Sequence, residues 1–157
     1  MSETEIIVEP NRQDIIHKHT FDAPRDLVFR AITEPELVPQ WWGPRDLSTE
    51  VDVMDARTGG RWRFINRDAD GNVYAFSGVF HEVTASERVV QTFEFEGMPG
   101  HVALETLTLE EADGKTTYVA RTLFQSVEDR DGAVQSGMTE GAQDTMDRLS
   151  EVIEKLR

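Results

Sequence analysis

Glu105 is the acid in this chain with the most chemistry open to it. It lies in the stretch Val102-Ala103-Leu104-Glu105-Thr106-Leu107-Thr108-Leu109, where alternation puts it on the side of Leu107 and Leu109, with Thr106 and Thr108 opposite. A carboxyl on an apolar face is desolvated, so it can take up a proton as a general base or bind a ligand hydroxyl. The competing expectation is that the neighbouring Gly97-Met98-Pro99-Gly100 loop lets the side chain reach water. Tyr118 or a histidine would be its partner in proton transfer. His17 and His19, two apart, share a strand face with Phe21 and would suit a metal only if further ligands approached. No third ligand is identifiable, and Asp68-Ala69-Asp70-Gly71-Asn72 lacks the frame of a calcium loop, so neither a metal nor a cofactor is expected. No nucleophile elbow, thiol, phosphate-cradling loop or dinucleotide fingerprint is present, and no residue is assigned a catalytic role. Arg57, Arg61 and Arg63 cluster near one sheet edge, where Asp52 and Asp55 are expected to pair with them.

The aromatic residues follow the same alternation. Trp62 and Phe64 share one face, as do Tyr74, Phe76 and Phe80, then Phe93 and Phe95, then Tyr118 and Phe124. Such faces either make a packed core or line a pocket. The expected lining is Trp42, Trp62, Phe64, Tyr74, Phe76, Phe80, Phe93, Glu105, Leu107 and Tyr118 on the sheet side. Met138 and Met146 join it from a C-terminal helix, methionine being adaptable to varied surfaces. Gly137 and Gly141 lie four apart on that helix, where each interior glycine costs roughly 1 kcal/mol relative to alanine. Close approach of helix to sheet is the favoured explanation, and room for a ligand the other.

These residues need a scaffold, and the punctuation of the chain supplies one. A first strand from Asp14 stops at Asp22-Ala23-Pro24, which opens a helix with Leu27, Val28, Ala31 and Ile32 as its apolar stripe. Thr33 is expected to cap a second short helix through Trp42, with Pro35 in its first turn and Pro39 distorting it. Extended segments follow over 47–54, 61–66, 73–83, 88–95, 102–110 and 116–124. Gly59-Gly60, Asp70-Gly71-Asn72 and Asp113-Gly114 provide tight turns between them, so neighbours must be antiparallel. From Asp131 to Leu156 apolar residues recur with helical period, predicting one helix roughly 40 Å long. One amphipathic helix cannot cover both faces of a six- or seven-stranded sheet. The sheet must therefore curl around it, leaving a space between. The fold class is α+β, with residues 1–11 as a loose N-terminal arm or edge extension and 12–157 as a single domain.

With 30 Asp+Glu against 16 Lys+Arg, the formal charge of −14 repels phosphate backbones and anionic headgroups, so neither nucleic acid nor membrane is an expected partner. Cysteine is absent, which removes disulfides and thiolate chemistry. The acidic N-terminus does not resemble a signal peptide and no stretch reaches the length of a membrane span, from which a cytoplasmic location is expected. A homodimer through edge strands or the Trp41-Trp42 region stays open.

Several strings, in this order, resemble the SRPBCC or START-like superfamily, in its branch named after the activator of the heat-shock-protein-90 ATPase and its polyketide-cyclase-like bacterial relatives. They are Thr20-Phe21-Asp22-Ala23-Pro24-Arg25-Asp26-Leu27-Val28-Phe29-Arg30-Ala31, Trp41-Trp42-Gly43-Pro44, Asp55-Ala56-Arg57-Thr58-Gly59-Gly60-Arg61-Trp62, Asp70-Gly71, Gly78-Val79-Phe80, and Ser136-Gly137-Met138-Thr139-Glu140-Gly141 with Asp147-Arg148-Leu149. The resemblance covers about residues 14–157 and implies a helix-grip fold. Many relatives carry Trp after the second helix glycine, where this chain has Ala142-Gln143, which alters the helix side of the cavity. The expected function is binding of a small apolar or partly hydroxylated molecule between sheet and C-terminal helix. A cyclase- or aromatase-type enzyme acting on a polyketide-like or lipid-like substrate is the first alternative. A co-chaperone of an ATP-dependent chaperone comes last, since the resemblance reaches no companion N-terminal domain.

Overall fold

The computed structural model describes residues 4–157. Eight strands form one antiparallel sheet: β1 (Glu5–Ile7), β2 (Asp14–Phe21), β3 (Ser48–Met54), β4 (Arg61–Arg67), β5 (Val73–Thr84), β6 (Arg88–Phe95), β7 (Val102–Ala112) and β8 (Lys115–Leu123). Their spatial order is β1-β2-β8-β7-β6-β5-β4-β3, so β3 to β8 meander as their short turns require and β2 returns to pair with β8. The eighth strand, beyond the six or seven expected, is β1, in which Ile6 pairs with His17. Of the arm expected at residues 1–11, Glu5–Ile7 thus form an edge strand, and residues 1–3 lie outside the described residues.

Helix α1 (Arg25–Thr33) follows β2 as its proline signal predicts, with Pro24 at the N-cap and Val28 and Ala31 buried. The second helix is shorter than expected. Thr33 does not cap it, because its hydroxyl donates back to the Phe29 carbonyl at 2.6 Å, and only Val38–Gln40 form a 3₁₀ turn, around Pro39. A proline there has no N–H with which to continue an α-helical ladder.

The C-terminal helix is also divided. Helix α2 (Val127–Gln135) and helix α3 (Met138–Leu156) meet at Gly137, whose φ of +96° no helical residue adopts. Ser126 caps α2, accepting from the Asp129 N–H. The periodic pattern continues across the break, which is why it reads as one element.

Helix α3 does two jobs along its length. Met146, Leu149, Val152 and Ile153 are buried and pack with Val28, Ala31, Val38 and Trp41 and with sheet residues Phe21, Leu109 and Tyr118 in one solid core. Its first two turns, Met138 to Thr145, stand instead over an open cavity. The concave face of the sheet is therefore packed at one end and hollow at the other.

Candidate functional site

The cavity measures about 830 Å³, within the range of small-molecule sites. Strand alternation builds its walls. Phe64 of β4 is the register partner of Phe76 on β5, Phe76 in turn faces Phe95 on β6, and Phe76 and Phe93 stack with centroids 5.5 Å apart. Trp42 closes this aromatic wall from the loop side, edge-on to Phe64 at 5.1 Å and to Phe76 at 5.2 Å. Its position is fixed from α3. Arg148 donates to the carbonyls of Gly43 at 2.6 Å, Pro44 at 3.1 Å and Gln40 at 3.1 Å, clamping the Trp41-Trp42-Gly43-Pro44 loop to the helix. Trp41 itself turns into the core and donates to the Ala31 carbonyl at 2.8 Å.

Of the expected lining residues, Trp42, Phe64, Tyr74, Phe76, Phe80, Phe93, Glu105, Leu107, Tyr118, Met138 and Met146 all border this cavity. Trp62 does not. Its indole lies behind Phe64 and Phe93, 2% exposed, with Nε1 donating to the Thr92 carbonyl at 3.1 Å. Gly78, its register partner, permits this, because a Cβ there would stand 1.9 Å from the Thr92 oxygen and 2.6 Å from the indole nitrogen. Phe95 and Phe124 join the walls as their alternation suggests.

Glu105 points inward. Gln91 Nε2 donates to its Oε1 at 3.0 Å and the Thr122 hydroxyl to its Oε2 at 3.2 Å, so the carboxyl sits in a three-strand polar row across β6, β7 and β8. Desolvation raises its pKa above the ordinary carboxylate value, partly offset by those two hydrogen bonds. Burial, and then the Glu105 charge, push the Tyr118 phenol well above its usual value. Its neighbour Glu105 borders the cavity, and the Glu105 carboxyl is held by side chains of β6 and β8 rather than by the loop after β6.

Sequence reasoning passed over Gln91 and Asn66, both of which also border the cavity. The even-numbered face of Trp62 and Phe64 continues to Asn66, whose Oδ1 accepts from Thr49 at 2.8 Å. Gln91 becomes visible only through the pairing that sets it opposite Glu105. His17 borders the cavity with its Nε2 buried and unpartnered, and burial lowers its pKa. His19 belongs elsewhere, with Nδ1 3.1 Å from the Thr4 hydroxyl and Nε2 3.4 Å from that of Ser150. Among the described residues no group of three or more His, Asp or Glu could hold a metal ion. Arg63 pairs with Asp52 at 3.1 Å and Arg57 with Asp55 at 2.8 Å, as expected, but Arg63 also grips Glu96 at 2.9 Å, and Arg61 pairs with no acid among the described residues.

The two helix glycines have separate reasons. Gly137 is needed for its left-handed backbone, whereas a Cβ on Gly141 would meet nothing within 4 Å. Close packing against the sheet therefore explains neither. Gly141 and Ala142 both face the hollow and leave its helix side open. No helix among the described residues is long and apolar enough to cross a membrane.

The family model described as "Activator of Hsp90 ATPase homolog 1-like protein" matches residues 22–154. Among solved structures, a protein from Nitrosomonas europaea is 28% identical with a TM-score of 0.83, the match covering 94% of this chain and 97% of that one. One from Rhodobacter sphaeroides is 21% identical with a TM-score of 0.88, covering 98% and 99%. DynU16, from the dynemicin biosynthetic locus, is 22% identical with a TM-score of 0.71, covering 90% of this chain and 47% of its own. Below a quarter identity these likenesses are of fold alone. No functionally curated protein matches the sequence.

Proposed function

We propose that this chain, which belongs to the activator of Hsp90 ATPase homolog 1-like family, binds a small, largely apolar molecule carrying a polar group in the cavity between its sheet and helix α3. The observation behind this reading is the Gln91–Glu105 pair, backed by Thr122, set into a predominantly apolar hollow of about 830 Å³. An apolar body gains by leaving water for such a wall, and a few convergent polar groups fix its orientation. Titrating the protein with apolar, partly hydroxylated compounds while following tryptophan fluorescence tests it, since Trp42 stands in the wall. Saturable quenching, lost on Phe76→Ala, is the expected result. An absence of saturable change with any compound, together with an interior found filled only by water, overturns it.

A second reading is an enzyme of the cyclase or aromatase type, favoured by the placing of Glu105 beside further polar groups of the same cavity. There Glu105 would move a proton, its pKa raised above the ordinary carboxylate value by desolvation, and the walls would fold a reactive chain into position. DynU16, which shares the fold, comes from a biosynthetic locus. Unchanged turnover of an identified substrate by Glu105→Gln removes this reading.

A further inference from the structure

The charged side chains of the cavity are all of one sign. Among the described residues that line it there are three carboxyls, Glu105 within and Glu128 and Asp129 on α2, and neither a lysine nor an arginine. The remaining titratable groups facing it are His17, Tyr74, Tyr118 and His101, the last at the mouth with Nδ1 3.0 Å from Asp129. His17 presents Nε2 without a partner, which in the neutral ring protonated on Nδ1 is an acceptor.

Glu105 is the unusual member of this set. A buried carboxylate is ordinarily compensated by a protein cation, yet its partners, Gln91 and Thr122, are neutral. Among the described residues Arg63, Arg121 and other cations pair with acids elsewhere, and no ion pair includes Glu105. A cation entering the cavity would meet this carboxylate in a poorly solvated place whose walls include Trp42, Phe76 and Phe93, and aromatic ring faces attract positive charge as well. The overall charge of −14 draws cations toward the molecule and repels anions.

Resting on the reading of the cavity as a binding site, we infer that its ligand is a lipophilic amine, whose ammonium pairs with Glu105 while its apolar body lies against the aromatic wall, and that carboxylate-bearing amphiphiles are excluded. The proton balance is simple. Where Glu105 holds a proton in the empty cavity, that proton is released to solvent as the already charged ammonium binds, so amine affinity rises with pH until Glu105 is ionised beforehand.

The test uses three probes with one skeleton: 1-pyrenemethylamine, 1-pyrenemethanol and 1-pyrenecarboxylate, titrated at pH 7.5 and physiological salt with energy transfer from tryptophan as the readout. The amine is expected to bind at least about tenfold more tightly than the alcohol, and the carboxylate least tightly, as charge pairing in a desolvated site dictates. Glu105→Gln should cost the amine about tenfold more than it costs the alcohol. Should that variant fail to fold, the native protein carries the test alone. The amine remains protonated to about pH 9, so its affinity should rise as the pH is raised above the ordinary carboxylate range, and less so in Glu105→Gln, while that of the alcohol stays level. Equal affinity for amine and alcohol overturns the inference and leaves the cavity reading standing. An amine preference that survives Glu105→Gln but vanishes in Glu128→Gln/Asp129→Asn, or with added salt, also overturns it, since attraction to the rim would then explain it. Failure of all three probes to bind overturns both.

Discussion

Gln91 and Glu105 face each other directly across strands β6 and β7, and the amide of the first donates to the carboxyl of the second at 3.0 Å inside the cavity. This pairing and that of Thr122 soften the desolvation of Glu105 without cancelling it, so the folded-state pKa stays above the ordinary value. A carboxyl held above its unfolded pKa keeps its proton longer in the native state. Its contribution to stability is therefore lost as pH rises from the unfolded value through the folded one. Glu105→Gln should raise the melting temperature at pH 8 by about 2–4 °C, corresponding to roughly 1 kcal/mol, and by less at pH 5. Thermal unfolding of both proteins at the two pH values checks this, and an equal gain at both would contradict it.

Trp62 and Gly78 form a second cross-strand dependency, in which a missing side chain admits the indole to the Thr92 carbonyl. Gly78→Ala places a methyl group where backbone and indole already stand. It should destabilise the fold by about 3 kcal/mol or more, whereas Trp62→Phe, which keeps most of the packing but strands a buried acceptor, should cost about 1–3 kcal/mol. Urea unfolding measures both. If Gly78→Ala were tolerated without loss, the close approach would not be what fixes Trp62.

The strands, their antiparallel order and the strand face on which Glu105 lies were legible because period-two alternation and glycine turns are local signals, whereas the course of its side chain was not. What escaped depends on partners distant in sequence. Trp62 obeys the alternation yet leaves the cavity wall, since its indole follows a gap made by Gly78 on the next strand. The helix break was hidden because apolar spacing resumes in register after Gly137, and only the backbone angle there reports the interruption. Gln91 acquires a role solely from standing opposite Glu105, and Arg148 from reaching three carbonyls more than a hundred residues away.

Asp14 predicts an acid limb of stability. Its carboxyl is almost fully buried at the start of β2 and accepts from Arg12 at 2.9 Å and from Arg121 at 2.8 Å. Hydrogen bonds, from Arg12 first and then Arg121, outweigh desolvation and hold its pKa far below the usual carboxylate range. A depressed carboxyl contributes stability that is present above its unfolded pKa and is lost as pH falls toward the folded one. Asp14→Asn should cost about 1–3 kcal/mol at pH 7 and progressively less below pH 4. The Arg130 contact to the backbone oxygen of residue 14 survives the change, so α2 should keep its anchor on β2. Denaturant curves of the two proteins at pH 7 and pH 3 should therefore converge on the acid side.

The helix glycines offer the sharpest separation between backbone and space. At Gly137 the residue must hold φ at +96°, so Gly137→Ala forces a β-carbon into a left-handed conformation and should destabilise by about 1–2 kcal/mol. At Gly141 the backbone is helical and the surroundings are empty, so Gly141→Ala should instead stabilise by about 1 kcal/mol through helix propensity. Gly141→Leu retains much of that gain but projects its side chain into the hollow, and should weaken binding of a bulky apolar probe by about tenfold through lost volume. Melting curves read the first two effects and a fluorescence titration the third. A Gly141→Leu protein that binds the probe as well as the native one would place the occupied space away from the first turns of α3.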